Sequence, residues 1–124
     1  MQVRGIRGAT TAEENTPEAI LDGARDLLQE LITANPTLKR EDIAAALFSV
    51  TEDLDAAFPA QAARELGWTQ VPMLCFREIP VPGSLARCIR ILIHWNTESQ
   101  QADVRHVYLK EASSLRPDIE ERAS

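Results

Sequence analysis

Alternation of apolar and polar residues is clearest at 87–95. There Ile89, Ile91 and Ile93 fall on one side of an extended chain, and Cys88, Arg90, Leu92 and His94 fall on the other. The spacing predicts a strand. A second is expected at 104–109, with Val104, His106 and Tyr108 opposite Val107 and Leu109, and a third at 2–9, where Gly5, Gly8 and Ala9 allow close backbone approach. Between them the period changes. Thr16-Pro17-Glu18 supplies a capping hydroxyl, a proline for the first helical position and an acid for the first turn. Ile20, Ala24, Leu27, Leu28 and Leu31 then recur at helical spacing until Asn35-Pro36 ends the run. Residues 39–42 suit one helical turn. The stretch 43–51 mixes alanines that favour helix with Leu-Phe-Ser-Val-Thr that favours strand, and is read as a strand. Phe58-Pro59 opens a second helix through Ala62, Ala63 and Leu66, with Gly67 as its C-cap. A short strand at 71–76 precedes a rigid connection at Pro80, Pro82 and Gly83. The order β-α-β-α-β-β-β fits an α+β sheet with both helices on one face.

Each long strand thus has an apolar side for the helices and a second, mixed side. The mixed side carries Arg90 and Tyr108; Arg4, Arg7 and Arg105 likewise interrupt strand-like patterns, and Arg116 follows at Leu115-Arg116-Pro117. A guanidinium held against an apolar sheet loses hydration and needs an anion. Its planar fork suits carboxylate or phosphate better than an ammonium does. On the residues alone, an internal carboxylate such as Glu78 and an external ligand are equally good partners for Arg7 and Arg90. A face bearing Arg90 and Tyr108 is expected to be a site wall or a subunit interface.

Composition narrows the chemistry. A chain of 124 residues is expected to be one domain, 1–117, followed by a polar, mobile tail at 118–124. Its net charge of −6 argues against nucleic acid as the main partner, but a local cluster of arginines still attracts a small anion. No run approaches the roughly 20 apolar residues of a membrane span, and the opening residues lack a signal-peptide pattern, so the expected location is the cytoplasm. Cys75, Cys88, His94 and His106 lack zinc-ligand spacing, and neither histidine has a Ser or Cys partner at motif spacing. Gly5-Ile6-Arg7-Gly8 is too short for a phosphate loop.

Several segments together resemble one family. They are Arg4-Gly5-Ile6-Arg7-Gly8-Ala9-Thr10-Thr11, Phe58-Pro59-Ala60, Arg64-Glu65, Val71-Pro72, Glu78, Gly83-Ser84-Leu85, Cys88-Ile89-Arg90, Val104-Arg105-His106-Val107-Tyr108-Leu109 and Leu115-Arg116-Pro117-Asp118. In order and spacing, across nearly the whole chain, they resemble the monofunctional, barrel-type chorismate mutases. The resemblance implies a mixed β-sheet with two main helices on one face, trimerising into a pseudo-α/β-barrel with active sites between adjacent subunits. It implies the rearrangement of chorismate, a dicarboxylate, to prephenate, with no cofactor and no metal. By resemblance, Arg90 faces the ether oxygen, Arg7 and Tyr108 bind carboxylate, and Glu78 and the Cys75 position contact the ring hydroxyl. Phe58 and Leu115 form apolar walls, Ala60, Met73 and Leu74 contribute to the substrate pocket, and Arg64 and Arg116 sit at its mouth. Two positions depart from the family pattern: Gln61, where other members have lysine, and Leu74, where they have threonine. Strict alternation separates Cys75 from Glu78 unless the strand ends or bulges between them. The alternative is a non-catalytic trimer that binds a small carboxylate, as a sensor or scaffold.

Overall fold

The isoleucine strand, β4 (Cys88–Thr97), is the centre of the molecule in the computed structural model, which describes residues 1–115. It pairs antiparallel along its whole length with β1 (Gln2–Thr11) and, on its other side, antiparallel with β2 (Ile43–Val50). The edges are parallel additions: β3 (Met73–Arg77) on β2, and β5 (Val107–Tyr108) on β1. The result is a five-stranded mixed sheet in the order β3-β2-β4-β1-β5. Two-sided pairing settles the ambiguous 43–51 segment as strand, since β2 lies between two partners that complete its backbone hydrogen bonds.

Both helices cover one face, as expected. Helix α1 (Pro17–Ala34) is capped by Thr16, whose hydroxyl accepts the Ala19 N–H at 3.1 Å. Its buried stripe of Ile20, Ala24, Leu27, Leu28 and Leu31 matches the sequence periodicity. Helix α2 (Ala60–Glu65) is shorter than the sequence suggests and ends with Gly67 at φ 95°. There the Trp68 N–H reaches the Ala63 carbonyl and the Gly67 N–H reaches that of Arg64, the paired bonds of a Schellman motif. The helices meet Ile6, Phe48, Ile91 and Ile93 of the sheet in one apolar core.

At Gly8 the side chains of α1 pack tightly against the sheet. A β-carbon there lies only 3.0–3.2 Å from Leu31, Leu27 and Ile91 side chains. Gly8→Ala is therefore expected to destabilise the fold by about 1–3 kcal/mol through overpacking, measured by urea unfolding.

Some boundaries differ from expectation. β1 continues to Thr11 and β4 to Thr97 because each completes the other's ladder, from Gln2 opposite Thr97 to Thr11 opposite Cys88. β3 begins at Met73 rather than 71 and runs on to Arg77. Of the expected strand 104–109 only Val107 and Tyr108 pair. The Arg105 backbone is claimed instead by the Asn35 side chain, which accepts its N–H and donates to its carbonyl, both at 3.0 Å. Arg116 and the expected tail at 118–124 lie outside the described residues. No helix among the described residues is long and apolar enough to cross a membrane.

Candidate active site

Sheet register builds the site. On the face away from the helices, Phe76 of β3, Ser49 of β2, Arg90 of β4, Ala9 of β1 and Tyr108 of β5 form one continuous row across all five strands. Arg90 thus stands between two small side chains, which leave lateral room for its guanidinium. In the neighbouring row Arg7 lies opposite Leu92, diagonal to Arg90. The Arg7 backbone N–H donates to Nδ1 of His106 at 3.0 Å, which fixes that imidazole in a structural role.

Glu78 joins this group from the end of β3. Its N–H donates to the Val50 carbonyl at 2.8 Å, and one carboxylate oxygen accepts the Ser49 hydroxyl. The same oxygen lies 3.5 Å from Arg90 Nε, with the two side chains 25% and 30% exposed. That separation is long for a charge-assisted hydrogen bond. Arg90 Nε is otherwise buried without a hydrogen-bond partner among the described residues. Glu78 therefore orients the cation but does not saturate it: the internal carboxylate is present, and donor capacity is left over for a ligand. Tyr108 is buried beside Ala9, Cys88 and Ala112, with Leu85 and Leu115 packed against them. Burial pushes the Cys88 thiol above its ordinary pKa, against the opposing pull of Arg90. A neutral thiol there is a packing group rather than a nucleophile.

The remaining expected residues lie elsewhere. Phe58, Gln61 and Cys75 line a cleft of about 640 Å³ between the start of α1, the 54–59 loop and β3. Pairing of β3 with β2 is unbroken from Met73 to Arg77, so no bulge rotates the chain. The Cys75 side chain consequently shares a row with Phe48, Ile91 and Gly8 on the helix side, and Met73 shares one with Ala46, Ile93 and Ile6. One chain does not bring the Cys75 and Glu78 side chains together. Backbone alternation offers another route. Because the Glu78 N–H points into β2, that of Cys75 points outward along the open edge of β3. Leu74 sits on the face of Arg90 and is 59% exposed, while Phe58 is 69% exposed. Ala60 is buried in the core, and Arg64 is on the exposed side of α2, outside the cleft lining. Ser49 and Arg77 were not singled out from sequence. Strand parity pointed to Arg77 once β3 was extended past 76, whereas the role of Ser49 depends on register. Among the described residues no group of three His, Cys, Asp or Glu converges as metal ligands do.

The sequence model of the chorismate mutase type I family matches residues 3–119. The chain belongs to the chorismate mutase type I family. Two relatives agree over nearly full length. The chorismate mutase AroH of Thermus thermophilus is 58% identical over 118 residues, covering 95% of this chain and 97% of its own. The chorismate mutase AroH of Bacillus subtilis is 48% identical over 120 residues, covering 96% and 94%. A solved chorismate mutase from Clostridium thermocellum superposes with a TM-score of 0.86 at 48% identity, covering 89% of this chain and 97% of that one. The mixed sheet and its two helices are thus shared with that solved chorismate mutase.

Proposed function

We propose that the Arg90 face of one chain and the Phe58–Cys75 edge of a second enclose chorismate and convert it to prephenate, on the route to phenylalanine and tyrosine. The reaction is that of the family, an isomerisation in which one carbon–oxygen bond breaks as one carbon–carbon bond forms. No proton is transferred. The site has to hold a compact conformer and stabilise charge growing on the ether oxygen. The observation that carries this reading is Arg90 itself, a half-buried guanidinium flanked by Ser49 and Ala9 and only loosely paired with Glu78.

Arg90 faces the ether oxygen in this reading, held in orientation by Glu78. Arg7 and Tyr108 bind carboxylate, Leu115 closes the apolar wall beside Tyr108, and Arg64 steers the dianion from the mouth. The Glu78 carboxylate and the outward Cys75 N–H of a second chain hold the ring hydroxyl. Phe58 and the exposed Leu74 supply the opposite wall. Met73 and Ala60 act from the core side by fixing β3 and α2. A homotrimer is supported by the division of these groups between two faces of one sheet, which a single chain cannot close around one ligand. It is supported too by the exposed apolar side chains Leu74, Phe76, Ile79 and Val81 at the β3 edge and just beyond it.

The test is loss of chorismate absorbance with purified protein and no added cofactor, followed across pH. Rapid loss is expected, with kcat varying by less than about twofold between pH 6.5 and 8.5 because no group donates or accepts a proton in the rearrangement. A steep bell-shaped profile points instead to acid–base chemistry. An inactive, well-folded trimer points to a carboxylate-binding protein.

A further inference from the structure

The cleft beside β3 holds one cation to which the reading above gives no part. Arg77 is the last residue of β3, shares the helix face with Cys75, and lines the same cleft as Phe58, Gln61 and Cys75. Asp55 is the other charged residue of that lining, and its carboxylate accepts the Asn15 amide at 2.8 Å. Arg77 has no carboxylate within ion-pair distance among the described residues. One terminal nitrogen, Nη1, donates to the Glu52 carbonyl at 3.0 Å. That bond uses one of the five N–H donors of the fork and restrains the guanidinium at the cleft wall.

The substrate is a dianion, and the cleft lining otherwise offers it an aromatic ring, a neutral amide at Gln61, backbone and the Asp55 carboxylate already engaged by Asn15. We propose that Arg77 is the substrate-binding cation within this cleft, separate from Arg64 at its mouth. It pairs with the substrate carboxylate remote from Arg90, raising affinity without acting on the breaking bond. The inference rests on the chorismate reading of the site. Because Arg77 is exposed, its contribution is screened by salt, and because it binds substrate and transition state alike, it belongs in KM rather than kcat.

Arg77→Gln is expected to raise KM for chorismate about tenfold while kcat changes by less than about twofold, with the KM gap to the parent narrowing as salt rises. Gln61→Lys added to that variant places a cation back in the same cleft and is expected to recover at least about a threefold share of the lost KM. A merely structural loss, from breaking the bond to Glu52, is not repaired by a lysine on α2. An unchanged KM in Arg77→Gln, or a raised KM that Gln61→Lys fails to lower, overturns the proposal while chorismate turnover by the parent leaves the site reading intact. A parent that does not turn over chorismate removes the site reading and this inference with it.

Discussion

Replacing Arg90 with alanine is expected to lower kcat for chorismate by at least 10²–10³, on the order of the loss when one preorganised donor is removed from a developing oxyanion. Three features make Arg90 the most sensitive position. It is the cation at the middle of the five-strand row, its flanks are the small Ser49 and Ala9, and its Nε is buried with only the 3.5 Å approach of Glu78. The variant is expected to fold. The Glu78 carboxylate it leaves behind still accepts the Ser49 hydroxyl and keeps partial access to solvent. Arg90→Lys is expected to restore little, because a point charge on a flexible stem reproduces neither the fork nor its alignment with Glu78. Steady-state kinetics beside circular dichroism and sizing separate the two effects. Near-parental kcat in a folded Arg90→Ala protein would sink the assignment of this residue.

Sheet faces were more legible in the sequence than the neighbours within a face. The isoleucines of β4 determine which way Arg90 points, because period-two alternation is a local property of an extended chain. Tyr108 was placed on the mixed face by the same argument, although most of the surrounding strand was not formed. Asn35, at the distant end of α1, takes the Arg105 backbone, and no pattern within 104–109 reports that competitor. The Ser49–Arg90–Ala9 row also requires register between three strands far apart in sequence. Alternation correctly warned that Cys75 and Glu78 point apart. In the proposed trimer, the resemblance that implies both at one ligand refers to a site shared by two chains, whereas alternation describes one chain. Both hold if a second subunit supplies the other side, with the Cys75 backbone rather than its thiol facing the ligand. Arg77 escaped notice because the strand was expected to end at 76, one residue before the cation that reaches the cleft.

Phe48→Ala is expected to cost about 3–5 kcal/mol, a large share of the roughly 5–15 kcal/mol that keeps a domain of this kind folded. Phe48 is 1% exposed and lies in the helix-side row between Cys75 and Ile91, within the core that joins both helices to the sheet. Truncation there removes apolar burial and leaves a cavity that is filled only in part, since pairing with strands on both sides lets β2 shift toward it only slightly. The melting temperature is expected to fall by roughly 10–20 °C, measured at a fixed protein concentration because association in the proposed trimer would also contribute to stability. The effect reaches the active face through the backbone. Phe48 and Ser49 are consecutive and point to opposite sides, so a β2 that settles toward the cavity draws the Ser49 hydroxyl away from Glu78 and loosens the alignment of Arg90. Below its melting point the variant should therefore lose part of its kcat as well. A stability change under about 1 kcal/mol would place the main support of the fold outside this core. Full stability loss with unaltered kcat would instead break the proposed mechanical link between the core row and the catalytic row.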